Sequence, residues 1–230
     1  MIFTPGPTIA AASGSIGGTV FSHNRYGAYT RNRAIPTNPN TLAQQNARSR
    51  LATQSSAWQQ LTAAQQLSWK AWANQNPVTN ALGAQQVLTG QAAFVQLNTR
   101  LTQAGDAALT APPITSAPVG LVTLSATWDI GPGAYELTFT ATPIGATNRL
   151  WIRAAVVNSA GISYVKNLLR VVEVSGLNEA TAYDTKAVTE AVFGALVVDQ
   201  RVHIWLAVFS STTGLLSVPL SVTGTIIDTT

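Results

Sequence analysis

Apolar residues recur along this chain with two different periods. Between residues 41 and 105 they fall at helical spacing, whereas after residue 119 they alternate one for one with polar residues. The first period predicts amphipathic helices and the second predicts half-buried β-strands. The chain is therefore expected to be of the α+β class, in two parts, with a small helical unit at 41–105 and a β domain at 119–230.

Capping signals mark where three predicted helices begin and end. Pro39-Asn40-Thr41 precedes the first helix, and the capping-box pattern Thr62-Ala63-Ala64-Gln65 precedes the second. Thr89-Gly90 precedes the third helix, which Gly105 is expected to end. The predicted apolar faces comprise Leu42, Ala47, Leu51, Trp58 and Leu61, then Leu67, Trp69, Trp72 and Ala73, then Ala93, Phe94, Leu97 and Leu101. Trp58, Trp69, Trp72 and Phe94 are expected to form the core of this helical unit.

The segment 119–230 is predicted to be all β. The stretches "LVTLSATW", "YELTFTAT", "LWIRAAVV" and "VHIWLAVF" alternate apolar and polar positions, and turn signals such as "DIGPGA" and "NSAGIS" separate them. About seven strands in about 110 residues is typical of an immunoglobulin-like β-sandwich. Residues 106–118 contain three prolines and are predicted to form an extended, semi-rigid linker to this sandwich.

Residues 1–40 are rich in Gly, Pro, Ser and Asn and are predicted to form an extended arm. Within the arm, "GTVFSHN" and "YGAYTRNR" predict a hairpin of two short strands that meet at Asn24-Arg25. An isolated hairpin is marginally stable in water. The hairpin is therefore expected to lie on the rest of the chain or on a neighbouring protein.

Charge is scarce and unevenly distributed. Charged residues make up 10% of the chain, against roughly 25% in an average globular protein. Such a surface suits a chain that packs on partners, and the alternative is a monomer kept soluble by neutral polar side chains. Residues 1–105 carry six arginines, one lysine and no acidic residue, while all nine acidic residues follow. The first half is therefore expected to face nucleic acid, an acidic protein surface, or the acidic half of another copy.

Seven residues of the first half are candidate partner-binding residues. They are Arg25, Tyr26, Tyr29, Arg31 and Arg33 in the arm, and Arg48 and Arg50 on the first helix. Arginines interleaved with tyrosines can hold phosphates and stack on bases. Arginine also recognises carboxylates in a planar, bidentate way, and the total charge is low for a dedicated DNA binder. Protein contact is therefore favoured over nucleic acid.

Catalytic and metal-binding patterns are weak. The chain has no cysteine, and its two histidines, His23 and His203, have no partners at metal-ligand spacing. The acidic residues between Glu173 and Glu190 are expected to be solvated loop charges, and "GSIGG" fits neither a nucleophile elbow nor a phosphate-binding loop. A Ser-His-Asp triad needs no sequence proximity, so spacing does not test it. We expect no enzyme activity, no cofactor and no metal.

Membrane and export signals are also weak. The stretch "MIFTPGPTIAAASGSIGG" lacks a basic region followed by a continuous apolar run, so it is not expected to be a secretory signal. No window approaches the roughly 20 apolar residues of a transmembrane helix. No membrane partner is expected.

The segment "GALVVDQRVHIWLAVFSSTTGLLSVPLSV" resembles the closing hairpin of fibronectin type III modules. The alternating strand from Val202 to Phe209, the turn residue Gly214 and the Ser217-Val218-Pro219 stretch carry this resemblance. The segment departs from the pattern in having Val202 where a corner tyrosine is expected. The resemblance implies an immunoglobulin-like sandwich rather than a true fibronectin domain.

The first 105 residues resemble a second family, uncharacterised proteins encoded by bacteria and phages, in which an immunoglobulin-like domain commonly follows the helical part. The resemblance is carried by Gly18, Val20, Tyr29, Arg31, Asn38-Pro39, Thr41, Gln45, Arg48, Trp58, Leu61, Thr62, Trp69, Trp72, Thr89-Gly90, Phe94, Leu97 and Asn98. It implies a virion-associated structural role.

The expected function is therefore that of a non-enzymatic phage virion protein, assembled in the host cytoplasm. We expect capsid decoration or a minor capsid component, anchored by the basic arm to capsid, portal or tail proteins and to copies of itself. A tail or neck accessory, a host-adhesion protein and a nucleic-acid-binding protein are the alternatives.

Overall fold

The computed structural model describes residues 12–24, 27–79, 83–130, 134–140, 143–159, 161–180 and 182–229. These residues form four α-helices and several antiparallel sheets, so the predicted α+β class is confirmed. The chain divides into two compact units, Met1–Gln45 and Asn46–Thr230.

The first unit contains a three-stranded antiparallel sheet. Its strands are β1 (Gly14–Ile16), β2 (Thr19–Asn24) and β3 (Gly27–Asn32), with β2 in the centre. The pairing of β2 with β3 confirms the predicted hairpin, and Asn24 lies opposite Gly27. Strand β1 was not predicted, because three residues are too few to display an alternating pattern. No described residue of this unit is buried.

Three helices follow, and their predicted caps are confirmed. They are α1 (Leu42–Gln60), α2 (Ala63–Gln75) and α3 (Gly90–Ala104), and a two-stranded hairpin of β4 (Val78–Thr79) and β5 (Gln85–Gln86) separates α2 from α3. The capping box of α2 is present, since Gln65 N–H donates to Thr62 Oγ1 and Thr62 N–H donates to Gln65 Oε1. Helix α3 ends at Gly105, whose φ of 78° lies in the left-handed region.

The predicted apolar faces of α1 and α2 are only partly correct. Leu42 and Leu51 are 71% and 55% exposed, Ala47 is also exposed, and Leu67 of α2 is 66% exposed. Burial on α1 begins at Gln54 and continues at Trp58, where the helix contacts α3 and the start of α2. The helical spacing of apolar residues therefore extends well beyond the part of α1 that packs.

The remaining strands form two antiparallel sheets. A three-stranded sheet consists of β6 (Thr123–Asp129), β7 (Ala134–Thr140) and β10 (Tyr183–Asp184), with β7 in the centre. A four-stranded sheet has the order β12 (Leu220–Thr225), β11 (Arg201–Ser210), β8 (Asn148–Val157) and β9 (Arg170–Val174). The two sheets share one buried core, to which the alternating apolar residues contribute Trp128, Leu137, Phe139, Leu150, Ile152, Ala154, Val202, Ile204, Leu206 and Val208.

The prediction that 119–230 is all β is wrong at one segment. Helix α4 (Lys186–Phe193) lies between β10 and β11 and buries Thr189. Eight residues make barely two turns, so their helical period is hardly visible, and β-branched residues such as Val188 and Val192 favour strands by propensity. Asp184 supports the start of the helix by accepting a hydrogen bond from the Lys186 N–H at 2.9 Å.

Helix α3 packs on the four-stranded sheet, on the face that points away from the shared core. Leu101 of α3 lies in a buried cluster with Trp151, Ala207 and Phe209. The loop between β11 and β12 touches α3 through Gly214, whose φ is 72° and where a Cβ would lie 2.9 Å from Leu97 O. Residues 46–230 are therefore one unit that contains both helices and sheets.

The segment 106–118, predicted to be a linker, is fastened at its start to this unit. Asp106 pairs with Arg149 of β8, Leu109 hydrogen-bonds to the Asn98 side chain, and Thr110 O accepts from Trp69 Nε1 at 3.1 Å. Buried polar side chains therefore form hydrogen bonds with backbone groups of this segment, which in a free spacer would hydrogen-bond to water. Within the described ranges, no helix has the length and hydropathy needed to cross a membrane.

Candidate interaction surface

The pairing of β2 with β3 decides which arm residues share a face. Val20 lies opposite Arg31, and Ser22 lies opposite Tyr29. Directly opposed residues of an antiparallel pair point to the same side, so Tyr29 and Arg31 share one face of the arm sheet. Phe21 and its neighbours at odd-numbered positions of β2 lie on the other face. The hairpin therefore places one candidate aromatic residue beside one candidate arginine.

The candidate arm residues are accessible where the structure describes them. Arg31 and Arg33 are exposed and Tyr29 is half-buried, while Arg25 and Tyr26 lie outside the described residues. The backbone N–H of Arg33 donates to Gly18 O at 2.8 Å, which holds the end of β3 against the β1–β2 turn. Apolar side chains are accessible as well, with Ile16 and Ile35 at 77% and 80% exposed.

Arg48 and Arg50 both lie on α1 but do not share a face. Arg48 is exposed, whereas Arg50 is half-buried and its Nε donates to Asn46 O at 3.4 Å. Residues two apart on a helix point in nearly opposite directions. The two arginines therefore do not form a single basic track along the helix.

The four aromatic residues predicted for the helical core lie together. Trp58, Trp69 and Phe94 are buried, and Trp72 is half-buried beside them. The rings of Trp69 and Phe94 meet edge to face, with centroids 5.4 Å apart, and the Trp58 ring lies 5.5 Å from Phe94. These side chains hold the helices together, and the three buried rings are not available to a partner.

Burial shifts the pKa of titratable side chains in the β domain. His203 is buried, and its Nδ1 lies 2.9 Å from Thr223 Oγ1. Burial, and then the charge of Arg201, lower the pKa of His203 below its ordinary value. Burial and a hydrogen bond with Glu173, a residue of β9 rather than of a loop, raise the pKa of Tyr183. Within the part of the chain that the structure describes, no group of His, Asp and Glu could hold a metal ion.

Sequence reasoning missed two arginines in the seam between α3 and the four-stranded sheet. Arg100 of α3 was counted only as part of the basic first half, and Arg153 of β8 only as one position of the alternating stretch "LWIRAAVV". Arg149, Trp151 and Arg153 share one face of β8, and arginine is ordinary on the outward face of a strand, so the sequence holds no signal for Arg153. Nothing in the sequence shows that Arg100 lies near it.

No family model, curated protein or solved structure matches this chain. The resemblances of the first 105 residues and of the closing hairpin therefore stay predictions.

Proposed function

We propose that this chain is a non-enzymatic structural protein of a phage particle, either a capsid decoration protein or a minor capsid component. The observation that carries the proposal is the three-stranded sheet of the arm, in which no described residue is buried. So small a sheet without an apolar core is marginal in water and gains stability by packing on another surface. An arm of this kind fits a protein that completes its contacts only when it assembles.

The chemistry of the arm favours a protein surface that carries carboxylates. Arg31 and Arg33 are exposed, and the first 105 residues contain no acidic group that could neutralise them. Charge-assisted pairs between guanidinium groups and carboxylates set the register of a contact more than its affinity. The edge strands β1 and β3 also offer backbone groups to which a partner can add a strand. Both kinds of contact suit a subunit that binds repeated sites on a particle.

The same proposal includes a finer fold, an immunoglobulin-like sandwich related to fibronectin type III. It is supported by seven strands in sheets of three and four that share one core. It is also supported by Trp128 of β6, which packs directly on Gly224 of β12 in the other sheet. Strand β9 is the fourth strand of this domain along the chain and pairs with β8 in the four-stranded sheet. In constant-type immunoglobulin domains the fourth strand along the chain belongs instead to the sheet that contains the first strand. Such a domain would project from the particle or pack between neighbours.

Purified particles test the proposal. Phage particles from a strain that carries this gene are banded in a density gradient, and their proteins are quantified by mass spectrometry. We expect a fixed copy number per particle that survives a high-salt wash, and labelling of the chain would locate it on the capsid rather than on the tail or neck. Absence of the chain from banded particles would overturn the proposal.

Nucleic-acid binding is the second candidate function, because Tyr29 and Arg31 share a face of the arm sheet. Fluorescence anisotropy with a labelled single-stranded oligonucleotide separates it from the first. A nucleic-acid binder should lose affinity steeply between about 50 and 200 mM salt. A structural protein that recognises carboxylates should show no binding at either salt concentration.

A further inference from the structure

Two arginines in the seam between α3 and the four-stranded sheet lack a carboxylate partner. Arg100 of α3 is half-buried, and its Nη1 donates to Gly214 O at 3.5 Å, at the limit of a hydrogen bond. Arg153 of β8 is also half-buried, and its side chain makes no hydrogen bond or ion pair with any described residue. The seam therefore holds two positive charges that the described chain does not neutralise.

Both arginines line cavities that adjoin each other. Arg100 lines a cavity of about 210 Å³ whose other walls include Trp72, Asn76 and Gln96. Arg153 lines a cavity of about 90 Å³ between Trp151 and Trp205. Leu216 lines both cavities, so the two spaces lie next to each other at this residue.

The electrostatics of the seam are unfavourable. Burial, and then the positive charge of Arg153, lower the pKa of Arg100 to about 10, so Arg100 remains charged at neutral pH. Like charges withdrawn from water and without a counter-charge destabilise a fold. The indole Nε1 of Trp151 is buried in the same wall and has no acceptor within the described ranges. The seam thus contains three groups that act only as hydrogen-bond donors, the two guanidinium groups and the indole of Trp151.

Arg149 provides a comparison on the same strand and the same face. Its Nη2 and Nε donate to the two carboxylate oxygens of Asp106 at 2.9 and 3.2 Å, and its Nη1 donates to Ser175 O at 3.0 Å. The charge of Arg149 is therefore compensated by a carboxylate of the chain, and its remaining donor is bonded to a backbone carbonyl. Arg100 and Arg153 have no such carboxylate.

We propose that this seam binds a carboxylate side chain from an acidic peptide segment of a partner protein. Arg100 and Arg153 would hold the carboxylate, because planar guanidinium groups fit its two oxygens. The wall of the larger cavity also contains the apolar side chains of Trp72, Val78 and Leu88, which suit an apolar side chain next to the acidic one. A free phosphate ion would leave that apolar wall uncovered. This inference rests on the proposed assembly function and names a second contact on the unit Asn46–Thr230.

A capped tripeptide tests the site in the intact protein. The probe is acetyl-Leu-Asp-Leu-amide, its neutral control is acetyl-Leu-Asn-Leu-amide, and inorganic phosphate is the third arm, all at millimolar concentration and constant ionic strength. A ligand that binds only the folded state raises the melting temperature. We expect a rise with the Asp peptide and a smaller rise or none with the other two. An equal rise with the Asn peptide, a larger rise with phosphate, or no rise with the Asp peptide would overturn the proposal.

Variants identify the binding residues. Arg100→Met and Arg153→Met should each weaken Asp-peptide binding at least tenfold by calorimetry. Lys166→Met, which removes an exposed positive charge between β8 and β9, is the control and should leave the binding unchanged. Removal of an uncompensated charge should also leave the melting temperature of free Arg100→Met equal to or above that of the parent chain. If Arg100→Met does not fold, Arg153→Met decides, and unchanged binding there contradicts the proposal.

The two proposals fail separately. Peptide binding that Arg153→Met abolishes, together with absence of the chain from purified particles, would retain the site and remove the virion role. A chain present in particles that binds no acidic peptide would retain the virion role and remove the site.

Discussion

The side-chain amide of Asn98 makes both of its hydrogen bonds with the backbone of one residue, Leu109. Asn98 Nδ2 donates to Leu109 O at 3.0 Å, and Leu109 N–H donates to Asn98 Oδ1 at 2.7 Å. Asn98 is fully buried on α3, and Leu109 packs beside the helical core. This pair fastens the start of the segment 106–118 to the helices.

Asn98→Ala should destabilise the chain by about 2–4 kcal/mol, since it leaves a backbone donor and a backbone acceptor without partners in a buried site. Urea unfolding followed by tryptophan fluorescence measures the change. Asn74→Ala, at an exposed position of α2, is the control and should change stability by less than about 0.5 kcal/mol. Equal effects of the two substitutions would mean that the segment is not fastened by this pair.

Gly224→Ala should destabilise the chain through a clash between the two sheets. A Cβ at Gly224 would overlap Cζ3 and Cε3 of the buried Trp128, so the indole or β12 must shift. Overpacking of this kind costs about 1–3 kcal/mol. Gly18→Ala is the control, because a Cβ there meets nothing within 4 Å. Thermal unfolding that separates the two variants by less than about 2 °C would argue against the close contact of β6 with β12.

Asp106→Leu should destabilise the chain more than the double variant Asp106→Leu/Arg149→Met. The side chains of this pair are 13% and 18% exposed for Asp106 and Arg149, so loss of the carboxylate leaves a largely buried guanidinium uncompensated. Such a loss costs about 3–5 kcal/mol, whereas replacement of both partners by apolar residues is often neutral. Chemical denaturation of both variants measures the order. A double variant less stable than Asp106→Leu alone would show that Arg149 is held by other groups.

Stability should depend on pH through His203. The pKa of His203 in the folded chain is below its ordinary value of 6.5, so on acidification the unfolded chain binds this proton first. The stability that neutral His203 contributes to the folded chain is therefore fully present above pH 6.5, and it is lost as the pH falls through 6.5 toward the folded-state pKa.

Denaturation midpoints at about pH 7.5 and pH 5.5 test this dependence. The decrease between the two pH values should be smaller in His203→Gln than in the parent chain. His23→Gln, at an exposed position of the arm, should behave like the parent. An identical decrease in all three proteins would assign the pH dependence to the carboxylates.

Helix caps and apolar alternation predicted much of the fold, because each of these signals depends only on residues close together in the sequence. The Thr62 and Thr89 caps and the Gly105 terminus depend on short-range hydrogen bonds, and strands β6, β7, β8 and β11 show apolar alternation with a period of two. Helix α4 was missed because its length hides its period. The exposure of Leu51 and Leu67 was missed because spacing shows where a face is apolar and not whether anything covers it.

The candidate sites also differ in whether the sequence alone shows them. The acid-free arm was visible in composition, since charge is counted along the chain. The seam of Arg100 and Arg153 was not visible, because it depends on how α3 lies on β8, across about 50 residues of sequence. The anchoring of residues 106–110 was hidden for the same reason, as its partners Trp69, Asn98 and Arg149 come from three separate elements.

Protection of the arm from trypsin tests the central claim most directly. Arg31 and Arg33 are exposed trypsin sites in a sheet without buried residues, so in the purified chain we expect cleavage there within minutes, before any cut in Asn46–Thr230. In purified phage particles the same sites should resist trypsin at least tenfold longer, because the partner covers them. Equal cleavage rates at Arg31 and Arg33 in the free chain and in particles would contradict an arm that docks on assembly.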